Sequence, residues 1–238
     1  MIQTRKVDSQ YIKEILLEHI NLVKEDSSNN SCLLYFKNQL PAKYQSMSFN
    51  KWESGEGRAD KQRQEVIDFW KDNLDKHCGL VLYGIAGSGK THLAISIGKV
   101  WANKGNKVLL IEIDEFLTRL RSSSMFKSND EYTEYEIIQK IKDHKLVILN
   151  DLGTNPNYTG KDFERLQSII DIIWKHEILL VLTTNWHIKQ LSIIGQPFMD
   201  RLYQFCKFID FTEDSKVISY RFDSSINKDE IKKDNIIV

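Results

Sequence analysis

The sequence predicts an α/β protein in which helices flank a parallel five-stranded sheet, with a short helical appendage before it. From residue 79 onward, short apolar runs alternate with helical patterns, as is typical of βαβ units. A glycine-rich stretch directly follows the first of these runs. The 238 residues, 41% of them hydrophobic, suffice for one domain with a full core and a small appendage. Two large domains would not fit.

The appendage is predicted at residues 1–31. Its segment 8–24 has a helical period, and four apolar side chains share one face: Ile12, Leu16, Ile20 and Val23. Small polar residues at 25–31 then interrupt the pattern and predict a linker. An apolar stripe on a tether either contacts a partner or packs on its own domain. Periodicity is the same in both cases and leaves the two open.

Apolar runs predict the strands, and the periodic segments between them predict helices. The strands are expected at 79–83, 107–113, 145–150, 177–185 and 206–211. The helices are expected at 90–103, 115–123, 131–144 and 161–176. Residues 123–130 lack periodicity and predict a mobile loop.

Charge and cysteine content exclude several classes of protein. The 33 basic and 33 acidic residues cancel, so any contact with DNA must be local rather than driven by net charge. The three cysteines are isolated, which argues against a disulfide framework and a zinc module. The chain shows neither a signal peptide nor 18 consecutive apolar residues. We therefore expect a soluble, cytoplasmic protein without a membrane partner.

The stretch YGIAGSGKTHLA, residues 83–94, predicts a phosphate-binding loop. It satisfies the pattern G-x-x-x-x-G-K-[ST], and the following helix offers free N–H groups to an anion. Lys90 would face the β and γ phosphates of ATP, and the Thr91 hydroxyl would bind Mg²⁺. The predicted nucleotide-binding residues of the loop are consecutive: Gly84, Ile85, Ala86, Gly87, Ser88, Gly89, Lys90 and Thr91.

Polar residues end two later strands, where a nucleotide hydrolase needs groups beside the metal and the attacking water. KLVILNDLG ends its apolar run in Asn150 and Asp151, and LLVLTTN ends in two threonines and Asn185. We expect Thr91, Asn150 and Asp151 to lie at the metal. Asp151 and Asn185 are candidates for orienting water near the γ phosphate.

Several motifs in this order resemble the bacterial replicative helicase loaders of the DnaC/DnaI type, which are AAA+ P-loop ATPases close in motif to the IstB transposition helpers. The motifs are LPAKYQSMSFNKW (40–52), YGIAGSGKTHLA, LVILNDLG, VLTTN, MDRLYQFCKFIDF (199–211) and ISYR (218–221). The resemblance spans about residues 40–221. It implies a lead-in at 32–78, an ATPase core at 79–222 and a polar tail at 223–238.

The resemblance also implies roles for single residues. Arg201 matches the arginine finger, which acts in the ATP site of a neighbouring subunit. Arg221 matches the second sensor arginine, which contacts phosphate, and Asn185 matches the first sensor. Lys43 and Tyr44 fall in a matching segment without an assigned chemistry.

Two positions depart from the family pattern. Asn150 stands where the family has an acid that holds magnesium, whereas Asp151 matches the catalytic base. Pro197 stands where the family often has a further arginine. ATP binding is therefore expected to persist, with slow hydrolysis. In the opposite arrangement, Asp151 is the metal ligand and Asn150 points into the sheet.

The function implied is an ATP-dependent helicase loader that assembles around single-stranded DNA and delivers a hexameric DNA helicase. Arg119, Arg121 and Lys127 are the candidates for contacts with the DNA strand. Two alternatives remain open: an IstB-like transposition helper, and a non-hydrolysing ATP-binding adaptor or inhibitor of the helicase. The missing acid at Asn150 favours the second alternative.

Overall fold

The computed structural model describes residues 31–54, 59–73, 76–125, 134–155 and 157–212. Several sequence predictions lie outside these residues: the helix at 8–24, the tail at 223–238, Lys127 and Arg221. In the described part, no helix has both the length and the apolar character needed to cross a membrane.

A five-stranded parallel sheet forms the centre of the fold, which confirms the predicted fold class. The strands are β1 (Gly79–Tyr83), β2 (Val108–Glu112), β3 (Leu146–Leu152), β4 (Leu179–Thr184) and β5 (Cys206–Asp210). They lie side by side in the order β2-β3-β4-β1-β5, and each neighbouring pair is parallel. β1 and β4 are buried along their whole length, because helices cover both faces of the sheet.

Helices surround this sheet. The four predicted helices all occur within a few residues of their expected bounds, and the described residues contain four further helices that were not predicted. They are α1 (Ser31–Gln39), α2 (Asp60–Asp72), α3 (Lys90–Asn103), α4 (Ile113–Met125), α5 (Glu134–Lys142), α6 (Gly160–Lys175), α7 (Ile188–Leu191) and α8 (Gln196–Phe205). Short 3₁₀ turns occur at Ala42–Tyr44, Phe49–Lys51 and Ser192–Ile194. Since α4 continues to Met125, the loop prediction at 123–130 is wrong for its first three residues.

The described residues 31–54 and 59–73 pack into the same core as the sheet, although no elements were predicted there. Phe36 of α1, together with Val66 and Trp70 of α2, belongs to a buried cluster that includes residues of β1, α3 and β3. The Gln39 side chain donates to the Val108 carbonyl and accepts from Leu110 N–H, each at 2.9 Å. This amide takes the place of a neighbouring strand at the free edge of β2.

The two faces of the sheet have separate apolar clusters. One lies under α1, α2 and α3, and the other lies under α4, α5, α6 and α8. The carboxyl ends of the parallel strands meet at one edge of the sheet, where α/β proteins commonly bind ligands. The predicted loop and the polar strand ends therefore lie close together.

Candidate functional site

The glycine-rich loop connects β1 to α3 with a backbone that requires glycine. Gly84, Gly87 and Gly89 have φ values of 129°, 78° and 98°, which L side chains rarely adopt. A Cβ atom on Gly89 would also lie 2.5 Å from the ring of Trp52. The loop is thus shaped for close approach to its backbone, as phosphate binding demands.

Lys90 begins α3, and its side chain folds back into the loop. Its Nζ donates to the carbonyl oxygens of Gly84 at 2.9 Å and Ile85 at 2.6 Å, and the residue is 4% exposed. Burying an ammonium group is costly without a compensating charge. A phosphate bound in the loop would complement this positive charge, so the residues present fit an anionic nucleotide.

A cavity of about 670 Å³ lies against the loop, which is within the range of sites for ligands the size of a nucleotide. The predicted site residues that line it are Gly87, Ser88, Gly89, Lys90, Thr91, Asp151 and Asn185. Gly84, Ile85 and Ala86 form the part of the loop nearer β1 and are not in the lining. The opposite wall comes from the lead-in segment: Lys43, Tyr44, Ser46, Met47, Lys51, Trp52, Glu53 and Ala59.

Side chains of α3 hold this wall in place. Lys99 donates to the backbone carbonyls of Tyr44, Gln45 and Met47. A ring nitrogen of His92 lies 2.8 Å from the carbonyl oxygen of Ser48, which precedes the 3₁₀ turn Phe49–Lys51 of the wall. Sequence reasoning missed the wall because its contacts are non-local, and its motif was noted without a chemical role.

The end of β3 contains an irregularity that turns Asp151 toward the loop. Between Leu149 and Leu152 the register with β4 shifts, and Asp151 has a φ of 58°. Such a bulge redirects the side chains around it. The Asp151 carboxylate consequently lies 3.3 Å from the Thr91 hydroxyl, which donates to it.

Thr91 and Asp151 are therefore the pair that fits Mg²⁺. Magnesium is commonly held by one or two carboxylates together with the phosphates of a substrate, rather than by a cage of protein ligands. No cluster of three His, Cys, Asp or Glu residues suited to a metal occurs in the described parts of the chain.

Asn150 lies elsewhere: its side chain is 0% exposed and is absent from the cavity lining. Its amide nitrogen donates to Glu112 Oε2 at 2.9 Å, and its oxygen accepts from the Thr183 hydroxyl at 2.8 Å. This placement departs from the expectation that Asn150 faces the metal. It corresponds to the opposite arrangement, in which Asp151 faces the metal position and Asn150 points into the sheet.

Burial dominates the electrostatics around Asn150. It raises the pKa of the Glu112 carboxyl, while the hydrogen bond from Asn150 acts in the opposite direction. The pKa of Tyr44, whose hydroxyl lies 3.5 Å from the Asn150 amide nitrogen, is raised by burial and then by the charge of Glu112. A further negative charge at position 150 would thus meet an already unfavourable environment.

Arg201 lies outside the cavity, on the face that α8 forms with α6. Its Nε donates to Asp171 at 2.9 Å, and its guanidinium lies 4.1 Å from the centre of the Trp174 ring. Pro197 is in the first turn of α8. Within one chain the structure does not bring Arg201 together with the loop residues.

The two described DNA-contact candidates on α4 are paired with carboxylates. Arg119 forms an ion pair with Glu115, and the Nε of Arg121 lies 3.5 Å from Asp162 Oδ1. Both charges are therefore partly neutralised within the chain.

Comparisons with known proteins identify the family and the fold. The family described as IstB-like ATP binding protein matches residues 4–224. The chain is 24% identical over 191 residues to the chromosomal replication initiator protein DnaA of Buchnera aphidicola subsp. Cinara cedri, covering 76% of this chain and 41% of DnaA. It is 27% identical over 139 residues to the insertion sequence IS232 putative ATP-binding protein of Bacillus thuringiensis subsp. berliner, covering 56% of this chain and 51% of that protein.

Among solved structures, the crystal structure of the DnaC helicase loader superposes with a TM-score of 0.60 at 18% identity. The match covers 71% of this chain and 99% of the loader chain. At this identity the likeness shows a shared fold. This chain spans about half or less of the length of the two curated relatives above. The family match, in contrast, covers nearly all of this chain. The chain belongs to the family of IstB-like ATP-binding proteins.

Proposed function

We propose that this protein is an ATP-dependent helicase loader, in which ATP binding at the loop controls contact with a hexameric DNA helicase and single-stranded DNA. The observation that carries the proposal is the assembled cavity, in which the buried Lys90 amine and the Asp151 carboxylate face the same space. The fold shared with the DnaC loader supports the choice of partner.

Different residues of the cavity are proposed to bind different parts of the nucleotide and its metal. The loop backbone and Lys90 would hold the phosphates, because they present N–H groups and a cation to them. Thr91 and Asp151 would hold Mg²⁺, which neutralises charge on a transferring phosphoryl group when bound. Asn185, which directly follows β4 and lines the cavity, would orient water.

Hydrolysis is proposed to be slow. The Asp151 carboxylate already contacts Thr91, and Asn150, the other polar residue at the end of β3, does not line the cavity. One carboxylate there has to serve both the metal and the attacking water. The nucleotide then acts mainly as a switch, and its slow hydrolysis resets the protein.

Assembly of several subunits in the ATP state is proposed to use Arg201. An arginine finger acts across an interface, so Arg201→Ala should spare ATP affinity in the monomer and reduce ATP-dependent assembly and turnover. Sedimentation velocity and ATPase rates over a range of protein concentrations test this. Unchanged turnover per subunit at every concentration would identify Arg201 as a surface charge paired with Asp171.

The decisive experiment for the loader function is binding to the replicative helicase of the same organism, with ATP, with ADP and without nucleotide. A loader binds the purified helicase in a nucleotide-dependent way, and Lys90→Ala loses that dependence. It also promotes unwinding of a fork on single-stranded DNA coated with its binding protein. Helicase binding that blocks unwinding would instead identify an inhibitor.

An IstB-like transposition helper is the second candidate, favoured by the family match and by the insertion-sequence relative. It has the same ATP site and a different partner. Absence of helicase binding under all three nucleotide conditions, together with binding to the transposase of a neighbouring insertion element, would replace the loader proposal with this one.

The appendage at residues 1–31, with its apolar stripe in 8–24, is proposed to carry the contact with the helicase, and removal of residues 1–30 tests this. Their removal ends before Ser31, where α1 begins, and so leaves the buried residue Phe36 and its contacts in place. We expect ATP affinity to persist and helicase binding to be lost. Loss of the folded state on truncation would show that the apolar stripe belongs to the core.

A further inference from the structure

A chain of hydrogen bonds links Asn150 to the backbone turn that aims Asp151. Asn150 donates from its amide nitrogen to Glu112 Oε2 at 2.9 Å and accepts at its oxygen from the Thr183 hydroxyl at 2.8 Å. The same hydroxyl oxygen accepts from the backbone N–H of Asp151 at 2.8 Å. Each link has a donor facing an acceptor, so the three bonds form one consistent chain.

The direction of this chain fixes the orientation of the Asn150 amide. The Thr183 oxygen already accepts from Asp151 N–H, and its own hydrogen therefore needs an acceptor. A flipped amide would face that hydrogen with its NH₂ group and would leave the hydroxyl without an acceptor. Only the observed orientation satisfies Glu112 and Thr183 together.

Between β3 and β4, the hydrogen bond from Asp151 N–H to the Thr183 hydroxyl takes the place of a backbone-to-backbone hydrogen bond. At this point the strand register shifts, and Asp151 takes its positive φ. A non-glycine residue holds such a conformation only when its surroundings enforce it, although aspartate tolerates it better than most. Thr183, itself oriented by Asn150, supplies that constraint.

We infer that Asn150 is a positioning residue rather than a weakened metal ligand: through Thr183 it fixes the turn that points the Asp151 carboxylate at Thr91. An amide is the group suited to this place, because it gives a donor to Glu112 and an acceptor to Thr183. Aspartate at position 150 would instead bring a carboxylate into contact with the Glu112 carboxylate. The inference about Asp151 and magnesium rests on the proposed nucleotide site, whereas the hydrogen-bond chain does not.

A double-mutant cycle of Asn150→Asp and Glu112→Gln tests the inference. Asn150→Asp alone should lower the melting temperature by roughly 5 °C or more and weaken Mg²⁺-dependent ATP binding at least fivefold. Glu112→Gln alone should have a small effect, since its amide oxygen still accepts from Asn150. In the double variant the glutamine NH₂ donates to the new carboxylate, and both the melting temperature and the magnesium dependence should recover.

Two results would overturn the inference. One is tighter Mg²⁺-dependent binding in Asn150→Asp without a loss of stability, as expected for a restored metal ligand. The other is a double variant no better than Asn150→Asp. If Asn150→Asp does not fold, recovery of a folded double variant still supports the inference, and an unfolded double variant contradicts it.

Thr183 provides an independent test with a matched pair of substitutions. Thr183→Ser keeps the hydroxyl and should keep the magnesium enhancement of ATP binding, whereas Thr183→Val keeps the shape and should lose it. Equal enhancement in the two variants would contradict the proposed chain. If wild-type protein binds no ATP at all, the nucleotide site itself has failed, and the melting temperatures of the cycle still decide the role of Asn150.

Discussion

Two turns at the same edge of the sheet build the candidate site in different ways. After β1, the backbone reaches positive φ at three glycines, so the local sequence determines the shape of the loop. Near the end of β3, positive φ falls on Asp151, which Thr183 holds from another strand. The first turn depends on residue type, whereas the second depends on hydrogen bonds to residues more than thirty positions away.

Lys90→Ala should have the largest effect on nucleotide binding at the first turn. It removes the ammonium group that is proposed to bind the phosphates. ATP affinity should fall roughly tenfold to a hundredfold, the loss expected for a hydrogen-bonded charge. Isothermal titration measures this, with the exposed Lys175→Ala on α6 as control. Equal affinity of wild type and Lys90→Ala would contradict the assignment of the loop.

Gly89→Ala tests whether the first turn needs glycine for its shape. The added Cβ meets Trp52 at 2.5 Å and forces alanine to a φ of 98°. We expect a loss of ~1–3 kcal/mol in the free energy of unfolding and at least about a tenfold loss of ATP affinity.

Gly105→Ala is the matched control for this change. Gly105 has a φ of 81°, but a Cβ there meets no atom within 4 Å. Only the backbone strain remains, so stability should fall by ~1 kcal/mol while ATP affinity stays unchanged. The same loss of affinity in both variants would attribute the Gly89 effect to general destabilisation rather than to the shape of the loop.

Lys99→Met loosens the wall opposite the loop without touching either turn. Its ammonium group donates to three backbone carbonyls of the wall, and their loss should cost about 1–2 kcal/mol of stability. ATP affinity should fall only a few-fold. Lys104→Met, directly after the C-terminal end of α3, is the control. A Lys99→Met protein as stable as wild type in urea unfolding would show that other contacts hold the wall.

The contrast between the turns explains which features the sequence predicts. Alternating apolar runs and helical periods predict the sheet, and the spacing from Gly84 to Thr91 predicts the loop. Both features can be predicted because their signals are local in sequence. The wall escapes prediction, since its shape depends on Lys99 and His92, which lie some fifty positions away in sequence.

The residues at the end of β3 illustrate the same limit. Strand periodicity places Asn150 and Asp151 at the correct edge, yet it cannot show which side chain faces the loop. The bulge that decides this is set by a hydroxyl on β4 and a carboxylate on β2. Similarity to a family with two acids at this point predicted a metal role for Asn150, whereas the structure turns that side chain into the sheet.

Acidification has the smallest expected effect on stability. It acts through His92 of α3, the helix that follows the first turn. Burial lowers the pKa of His92, so the unfolded chain takes up a proton at higher pH than the folded one. Stability should therefore decline as pH falls through about 6.5, the ordinary pKa of histidine, and level off below the folded pKa. Urea unfolding between about pH 8 and about pH 5 should show a shallower decline of stability in His92→Gln than in wild type. An identical profile would contradict this contribution.

The magnesium dependence of ATP binding in Asp151→Asn tests the difference between the two turns most directly. Asparagine has the shape of aspartate and tolerates the same backbone conformation, so the turn should persist. In EDTA the affinity for ATP should equal or slightly exceed that of wild type, because one negative charge facing the phosphates is gone. With Mg²⁺, the enhancement seen in wild type should fall by about tenfold or disappear. An Asp151→Asn protein that keeps the full magnesium enhancement would contradict the placement of Asp151 at the metal.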